Sequence, residues 1–351
     1  MFRSLIRVFN DGTSDMRNKT AGMYGLLVGL NLFAWAWALI VFHGNAALLG
    51  SCLLAYSFGL RHAFDADHIA AIDNVTRKMM QEGKRPISVG FFFSLGHSMV
   101  VIVLAVGIAV TASAIQTHFE QLKQVGGIVA ALVSSCFLFA IAAANILVLI
   151  AVWKSFKHVK RGGKLVEEDL DLLLANRGLL ARLFKRLFRL VEHSWQMFPL
   201  GFLFGLGFDT ASEVGLLGIS AAEAAKGVSI WSILVFPALF TAGMSFMDTS
   251  DGVLMTGAYG WAFVKPIRKL YYNLTITFVS VVVAVVIGGI EALGLLGDQL
   301  QLGGWFWDGI GALNDNFGTL GYGIVGLFVV SWAVSTLIYR LKRYDEIEAA
   351  T

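Results

Sequence analysis

The amino-acid sequence predicts an all-α membrane protein, a polytopic bundle of about eight transmembrane helices. Two observations carry this prediction. Of the 351 residues, 57% are hydrophobic and only 15% are charged, whereas soluble domains carry about 25% charged residues. The apolar residues are also grouped into segments of the length, about 20 residues, that a helix needs to cross a bilayer. The 38 glycines and four prolines fit such a bundle, because glycine permits close contact between membrane helices.

Eight apolar segments are long enough to span a membrane. They cover residues 22–43, 47–72, 87–111, 127–152, 197–220, 228–248, 271–297 and 319–340. A further apolar piece, residues 253–264, is too short to cross, and we expect it to be re-entrant or part of a bent helix. Residues 1–351 are predicted to form one transmembrane domain.

The distribution of lysine and arginine predicts the orientation of the chain, because short cytoplasmic loops are rich in these residues. Basic residues precede the first span and follow the second, fourth, sixth and eighth, among them Arg77 and Lys78 after the second. Both termini are therefore expected to be cytoplasmic. The basic residues flank apolar segments and do not form one stripe, so nucleic acid is not an expected partner, whereas membrane lipid is.

The longest connection, residues 153–196, is strongly basic and is predicted to be cytoplasmic. Within it, Leu180, Leu183, Phe184, Leu187 and Phe188 recur at helical spacing, and basic residues lie between them. This pattern is typical of an amphipathic helix at a membrane interface.

One stretch concentrates ionisable groups in a segment that is otherwise apolar. Residues 60–73 read LRHAFDADHIAAID and contain Arg61, His62, Asp65, Asp67, His68 and Asp73. Ionisable groups in hydrocarbon are costly and usually mark the path of an ion or substrate. Imidazole and carboxylate together suit a divalent transition metal. We therefore predict metal handling here, the alternative being a structural salt-bridge network around Arg61.

On a regular helix these groups could not all bind one ion. His62, Asp65 and Asp73 would lie on one side, while Asp67 and His68 would point elsewhere. Asp73 would also lie roughly 16 Å from His62 along the axis. The stretch therefore supplies only part of a ligand set, or the second helix is distorted there, as in transporters with broken helices.

Three other polar islands interrupt apolar segments. The third span contains Ser94 and His97, the fifth contains Asp209, Thr210 and Glu213, and the sixth ends with Asp248, Thr249 and Asp251. Asp209 and Glu213 are four residues apart and so share one side of a helix, as carboxylates lining a path would. Taken singly, His97 could be a core histidine and Asp248 or Asp251 a helix cap. Together, the buried acids outnumber the bases, which suits a cavity for a cation.

The four islands resemble the motifs of the nickel/cobalt transporter (NiCoT) family of bacteria and some fungi, in particular its high-affinity nickel permeases. The matching segments are 61–69 (RHAFDADHI), 93–98 (FSLGHS), 206–213 (LGFDTASE) and 243–249 (GMSFMDT). The resemblance implies eight helices and a multi-pass protein of the bacterial cell (inner) membrane. It also implies uptake of Ni²⁺, and in some members Co²⁺, driven by the membrane potential or a proton gradient. No ATPase subunit and no tightly bound cofactor are implied, and the sequence contains no glycine-rich P-loop.

The sequence therefore predicts a Ni²⁺ permease and not an enzyme. The predicted metal-binding residues are His62, Asp65, Asp67, His68 and His97, with Asp67 either a ligand or an orienting group. The predicted path or gate residues are Arg61, Asp73, Ser94, Asp209, Thr210, Glu213, Asp248, Thr249 and Asp251.

Two other classes of protein are alternatives to a permease. An intramembrane metal-dependent hydrolase would also bury His and Asp, but no His-Glu-x-x-His or Gly-x-Ser-x-Gly pattern is present. A metal sensor would need a soluble output domain, which the sequence does not indicate.

Overall fold

The computed structural model describes residues 8–12, 16–110, 115–160, 191–207, 210–262 and 266–342. Within these ranges the regular secondary structure is entirely helical. The helices are α1 (Met16–Val41), α2 (Ala46–His62), α3 (Ala66–Gln81), α4 (Val89–Val110), α5 (Ile115–Lys160), α6 (Met197–Phe204), α7 (Ala211–Ala225), α8 (Ile230–Ile233), α9 (Val235–Ala262), α10 (Pro266–Leu300), α11 (Trp305–Asn314) and α12 (Phe317–Leu341). Short 3₁₀ turns at Ser194–Gln196 and Gly205–Gly207 flank α6.

Six of the described helices are long and apolar enough to cross a membrane, and a bent pair makes a seventh if it counts as one span. The six segments are Met16–Val41, Val89–Gly107, Gln124–Lys154, Ile230–Gly257, Leu274–Leu300 and Phe317–Tyr339. The predicted all-α polytopic fold is therefore confirmed. The count of eight stays a prediction, because the second predicted span is divided between α2, which has only 17 residues, and the polar helix α3.

The second span is broken inside the ionisable stretch. Helix α2 ends at His62, and α3 begins at Ala66 with Asp65 at its N-cap in an extended conformation (φ −65°, ψ 141°). The distortion that a shared ion would require at this point is therefore present. Ala63, Phe64 and Asp65 separate the two helices.

The fifth span is also not straight. Residues Ser194–Gly207 and Ser212–Ala225 form two helical pieces that meet at 73°. Thr210, extended at ψ 146°, is the N-cap of α7. The continuous helix predicted over 197–220 was therefore wrong in shape, although not in position.

Glycines bring the backbones of the broken spans into direct contact with α4 and α9. A Cβ added to Gly59 of α2 would overlap the carbonyl oxygen of Phe240 in α9. Likewise, a Cβ on Gly90 of α4 would overlap the carbonyl oxygen of Asp248. The polar islands of the second, third and sixth spans are thereby held at the shortest distance that helix packing allows.

One expectation about the polar residues was wrong. Arg77 and Lys78 were predicted to lie in a loop after the second span. Instead they belong to α3 and are 1% and 2% exposed. Hydrogen bonds also join the helices: Asn145 of α5 donates to Oδ1 of Asn74 of α3 at 2.9 Å, and Ser134 of α5 lies 2.7 Å from a carboxylate oxygen of Glu291 of α10.

The remaining expectations concern the ends of the helices. Helix α9 continues without a break to Ala262, so the apolar piece 253–264 is for the most part a continuation of the sixth span. The connection between α10 and α12 contains a helix that was not predicted, α11, whose first residue Trp305 is 88% exposed. The amphipathic helix predicted around residues 180–191 lies almost wholly outside the described residues.

Candidate metal centre

Three imidazole rings from three helices converge in the interior of the bundle. His62 is the last residue of α2, His68 lies in the first turn of α3, and His97 lies in the middle of α4. The ring centroids are 4.8 Å (His62–His68), 4.7 Å (His62–His97) and 4.7 Å (His68–His97) apart. One nitrogen from each ring lies within 4.8 Å of the others. We call these three residues the histidine triangle.

The helix break explains how two residues of one motif can meet. On a continuous helix, His62 and His68 would lie about 120° apart around the axis. The break over residues 63–65 starts a new helix at Ala66, and the ring of His68 lies beside that of His62. All three rings are buried, with exposures of 1%, 0% and 3%.

The Nε2 atoms of His62 and His97 are 2.8 Å apart. Two ring nitrogens at this distance require a shared proton or a shared cation, because two lone pairs would repel each other. Imidazole binds transition metals at about 2.0–2.1 Å, so two neighbouring ligands at a right angle are separated by about 2.9 Å. The observed separation therefore matches two ligands of one ion.

Asp65 fixes the orientation of the His62 ring. Its Oδ2 lies 2.8 Å from Nδ1 of His62, and the hydroxyls of Thr210 and Ser212 each lie 3.3 Å from the same nitrogen. A negative oxygen at this distance favours a hydrogen on Nδ1, and therefore a lone pair on Nε2. Histidine ligands of metal ions are held in this way in many proteins. Asp65, predicted as a ligand, therefore lies where it orients one.

Asp248 has the same relationship to His68. Its Oδ2 lies 3.3 Å from Nδ1 of His68, and both side chains are buried. Nε2 of His68 has no hydrogen-bond partner among the residues that the structure describes. An unpaired buried nitrogen is costly, and a metal ion at the histidine triangle would satisfy it.

Glu213 adds a carboxylate to the same group. Its Oε1 lies 2.9 Å from Nε2 of His97 and 3.9 Å from Nε2 of His62, while its Oε2 accepts a hydrogen bond from Thr210 at 2.9 Å. Predicted only as a path residue, Glu213 is thus in contact with the triangle. Asp209, which was predicted beside it, lies outside the described residues.

Two phenylalanines enclose the triangle. The ring of Phe93 lies 4.7 Å from that of His68, and the ring of Phe240 lies 5.6 Å from that of His62. Their apolar rings keep water away and strengthen the electrostatic interactions of an ion there. This role could not be predicted from the sequence, because phenylalanine is common in the apolar segments.

The structure separates the other predicted residues from the triangle. Arg61 is exposed, and the half-buried Asp67 accepts a hydrogen bond from the backbone N–H of His68 at 2.9 Å. Ser94 donates to Ser245 of α9 at 2.9 Å. Three further residues are distributed along the interior: Asp73 and Thr249 are fully buried, and Asp251 is partly buried.

The site can bind one divalent cation. Three imidazoles beside the carboxylates of Asp65, Glu213 and Asp248 form a mixed nitrogen and oxygen site, which suits first-row divalent metals.

Comparisons with known proteins agree with this chemistry. The profile of a family described as high-affinity nickel-transport protein matches residues 48–338. The high-affinity nickel transport protein of Cupriavidus necator is 57% identical over 348 residues, covering 99% of each chain. The nickel transporter NicT of Mycobacterium tuberculosis is 44% identical, covering 92% of this chain and 89% of that protein. The cobalt transport protein NhlF of Rhodococcus rhodochrous is 42% identical, covering 94% and 95%. No solved structure matches the chain.

Proposed function

Because this chain belongs to the high-affinity nickel-transport protein family, we propose that it is a membrane permease that imports Ni²⁺ into the cytoplasm, with the histidine triangle as its metal-binding site. Co²⁺ is proposed as a second substrate, since the same donor atoms bind both ions. The intramembrane hydrolase considered from the sequence has no support from the comparisons.

One observation carries the assignment of the site. Two of the three imidazoles have Nδ1 held by a carboxylate, so their Nε2 lone pairs are directed into the space between the rings. Each of these two histidines is next to a carboxylate that orients its ring: Asp65 lies beside His62, and Asp248 lies beside His68. The same arrangement is found in established metal sites.

Transport without a nucleotide is energetically sufficient. A membrane potential of about 100 mV is worth roughly 2.3 kcal/mol per charge, and therefore roughly 4.6 kcal/mol for a divalent ion. This free energy supports accumulation by a factor of more than about a thousand. We accordingly propose secondary transport, with no ATPase subunit, no tightly bound cofactor and no catalytic residue.

The proposed topology has eight spans in one domain, both termini in the cytoplasm and the chain in the bacterial inner membrane. In this arrangement α2 and α3 together form the second span, and the bent pair α6 and α7 forms the fifth. It is supported by the concentration of basic residues in every second connection.

Uptake of ⁶³Ni by cells that lack their own nickel importer tests the proposal. The substitutions His62→Ala and Asp65→Ala are expected to abolish uptake, while the protein remains in the membrane at the wild-type level. His43→Ala is the matched control, because His43 lies in an exposed loop. Wild-type uptake by both the His62 and the Asp65 variants would refute the assignment.

A further inference from the structure

Arg77 is a buried cation whose hydrogen bonds are incomplete. The residue lies in α3, nine positions after His68, and is 1% exposed. Its Nη2 donates to Oδ1 of Asn74 at 2.9 Å, and its Nε lies 4.0 Å from Oδ2 of Asp73. Nε and Nη1 donate to no group in the described part of the chain. Burying a guanidinium with two nitrogens that donate no hydrogen bond is costly, so packing alone does not account for this residue.

The neighbouring Lys78 is a buried cation with a structural role. It is 2% exposed, its Nζ donates to the carbonyl oxygen of Val191 at 2.7 Å, and it lies 3.4 Å from a carboxylate oxygen of Glu82. Lys78 therefore ties α3 to the residues before α6. Arg77, one position away, makes no comparable connection with a backbone carbonyl among the described residues.

Arg77 lies beside the carboxylate of Asp73 on the same helix as His68. Asp73 follows His68 by five residues, which is about 7.5 Å along the helix axis, and is the next acid along α3 after the histidine triangle. Helix α9 packs against Thr76 and Ile72 of α3 at Gly252, next to a second acid, Asp251.

We propose that Arg77 is an internal counter-cation that prevents Asp73 from retaining the transported metal. The guanidinium is always charged and has no lone pair, so it repels a divalent ion and cannot act as a ligand. Without it, the buried Asp73 carboxylate would bind the ion that the triangle has released. With it, the ion continues to the cytoplasm. This inference rests on the proposed function.

Metal stoichiometry tests the inference directly. The full-length protein in detergent is dialysed to equilibrium with ⁶³Ni²⁺, and initial uptake is measured in proteoliposomes. Wild-type protein is expected to bind one ion per chain. Arg77→Gln is expected to bind two and to lose at least tenfold in initial uptake rate, whereas Arg77→Lys keeps one ion and transport. Lys78→Gln, which removes an adjacent buried charge, is expected to bind one ion.

A double variant locates the additional ion. Asp73→Asn combined with Arg77→Gln is expected to return the stoichiometry to one, because the second ion depends on the Asp73 carboxylate. One ion per chain in Arg77→Gln, or two in the double variant, would overturn the inference.

If Arg77→Gln fails to fold, Asp73→Asn alone still tests whether Asp73 holds metal in the presence of Arg77. With Arg77 present, this variant is expected to bind one ion with an unchanged Kd. A weaker Kd or a lost ion would mean that Asp73 holds metal beside Arg77, contrary to the inference.

His62→Ala separates the two proposals. If this variant binds and transports like the wild type, the proposed function of the triangle fails. If it loses binding while Arg77→Gln still binds one ion, only the role of Arg77 fails.

Discussion

The Nε2 atoms of His62 and His97 approach to 2.8 Å, although the two residues lie on different helices and are 35 positions apart in the chain. This contact joins the end of α2 to the middle of α4, and the ring of His68 completes a triangle with sides of 4.7–4.8 Å. The candidate site therefore depends on helices that meet only in the folded protein.

Removal of the Asp248 carboxylate should weaken metal binding without removing a ligand. Asp248→Ala leaves Nδ1 of His68 without its carboxylate, so the ring loses its fixed orientation and some of its basicity. Loss of such an orienting group typically costs 10–100-fold in metal affinity. The measurement is the Kd for Ni²⁺ of the purified protein. Ser250→Ala, two residues further along α9, is the control, and a Kd within about twofold of the wild type for Asp248→Ala would contradict this role.

A methyl group on Gly321 should disturb the helix break. A Cβ added there would overlap the carbonyl oxygen of Phe64, and a helix cannot absorb an overlap with another backbone without moving. Gly321→Ala is expected to reduce ⁶³Ni uptake by more than tenfold at an equal amount of protein in the membrane. Gly323→Ala is the control on the same helix, because a Cβ there meets no described atom within 4 Å. Equal uptake by the two variants would show that α12 does not support the break.

The hydroxyl of Ser134 should stabilise the pair of long helices α5 and α10. It lies 2.7 and 2.8 Å from the two carboxylate oxygens of the buried Glu291. Ser134→Ala removes these hydrogen bonds from a buried acid, at an expected cost of about 1–3 kcal/mol.

Thermal unfolding in detergent measures this effect. Ser135→Ala serves for comparison, because the Ser135 hydroxyl donates to the carbonyl oxygen of Ala131 in its own helix. We expect a clearly lower Tm for the Ser134 variant only, and an equal Tm for both would argue against the pair.

The meeting of the polar islands could be predicted from the sequence, because charged and imidazole side chains are costly in lipid and must find each other. His62, His68 and His97 were all among the predicted metal-binding residues. The break near residue 63 could also be anticipated, since a continuous helix separates His62 from His68.

The sequence does not predict which acids bind the metal and which orient a histidine. Whether Asp65 or Asp248 binds a metal or orients a histidine depends on which ring nitrogen it meets. For His68 this depends on α9, which is 180 residues away in the chain. Phe93 and Phe240 had no distinguishing signal, because an apolar ring that encloses an ion looks in the sequence like one that contacts lipid.

The placement of Arg77 and Lys78 was wrong for an instructive reason. Counting basic residues assumes that they lie in water beside the membrane. Helix α3 is too polar to be recognised as a span, yet it is surrounded by protein, so both cations are buried in it. The charge pattern gives the position of such residues in the sequence, but it does not show whether they lie in water or are buried within the protein.

The break at residues 63–65 has a mechanical consequence. His62 stands on one side of this joint and His68 on the other, so an ion bound to both rings fixes the angle between α2 and α3. A cation that one of the two rings does not bind leaves that angle free. In the proposed permease, selection of the transported ion and the geometry of the second span are therefore coupled.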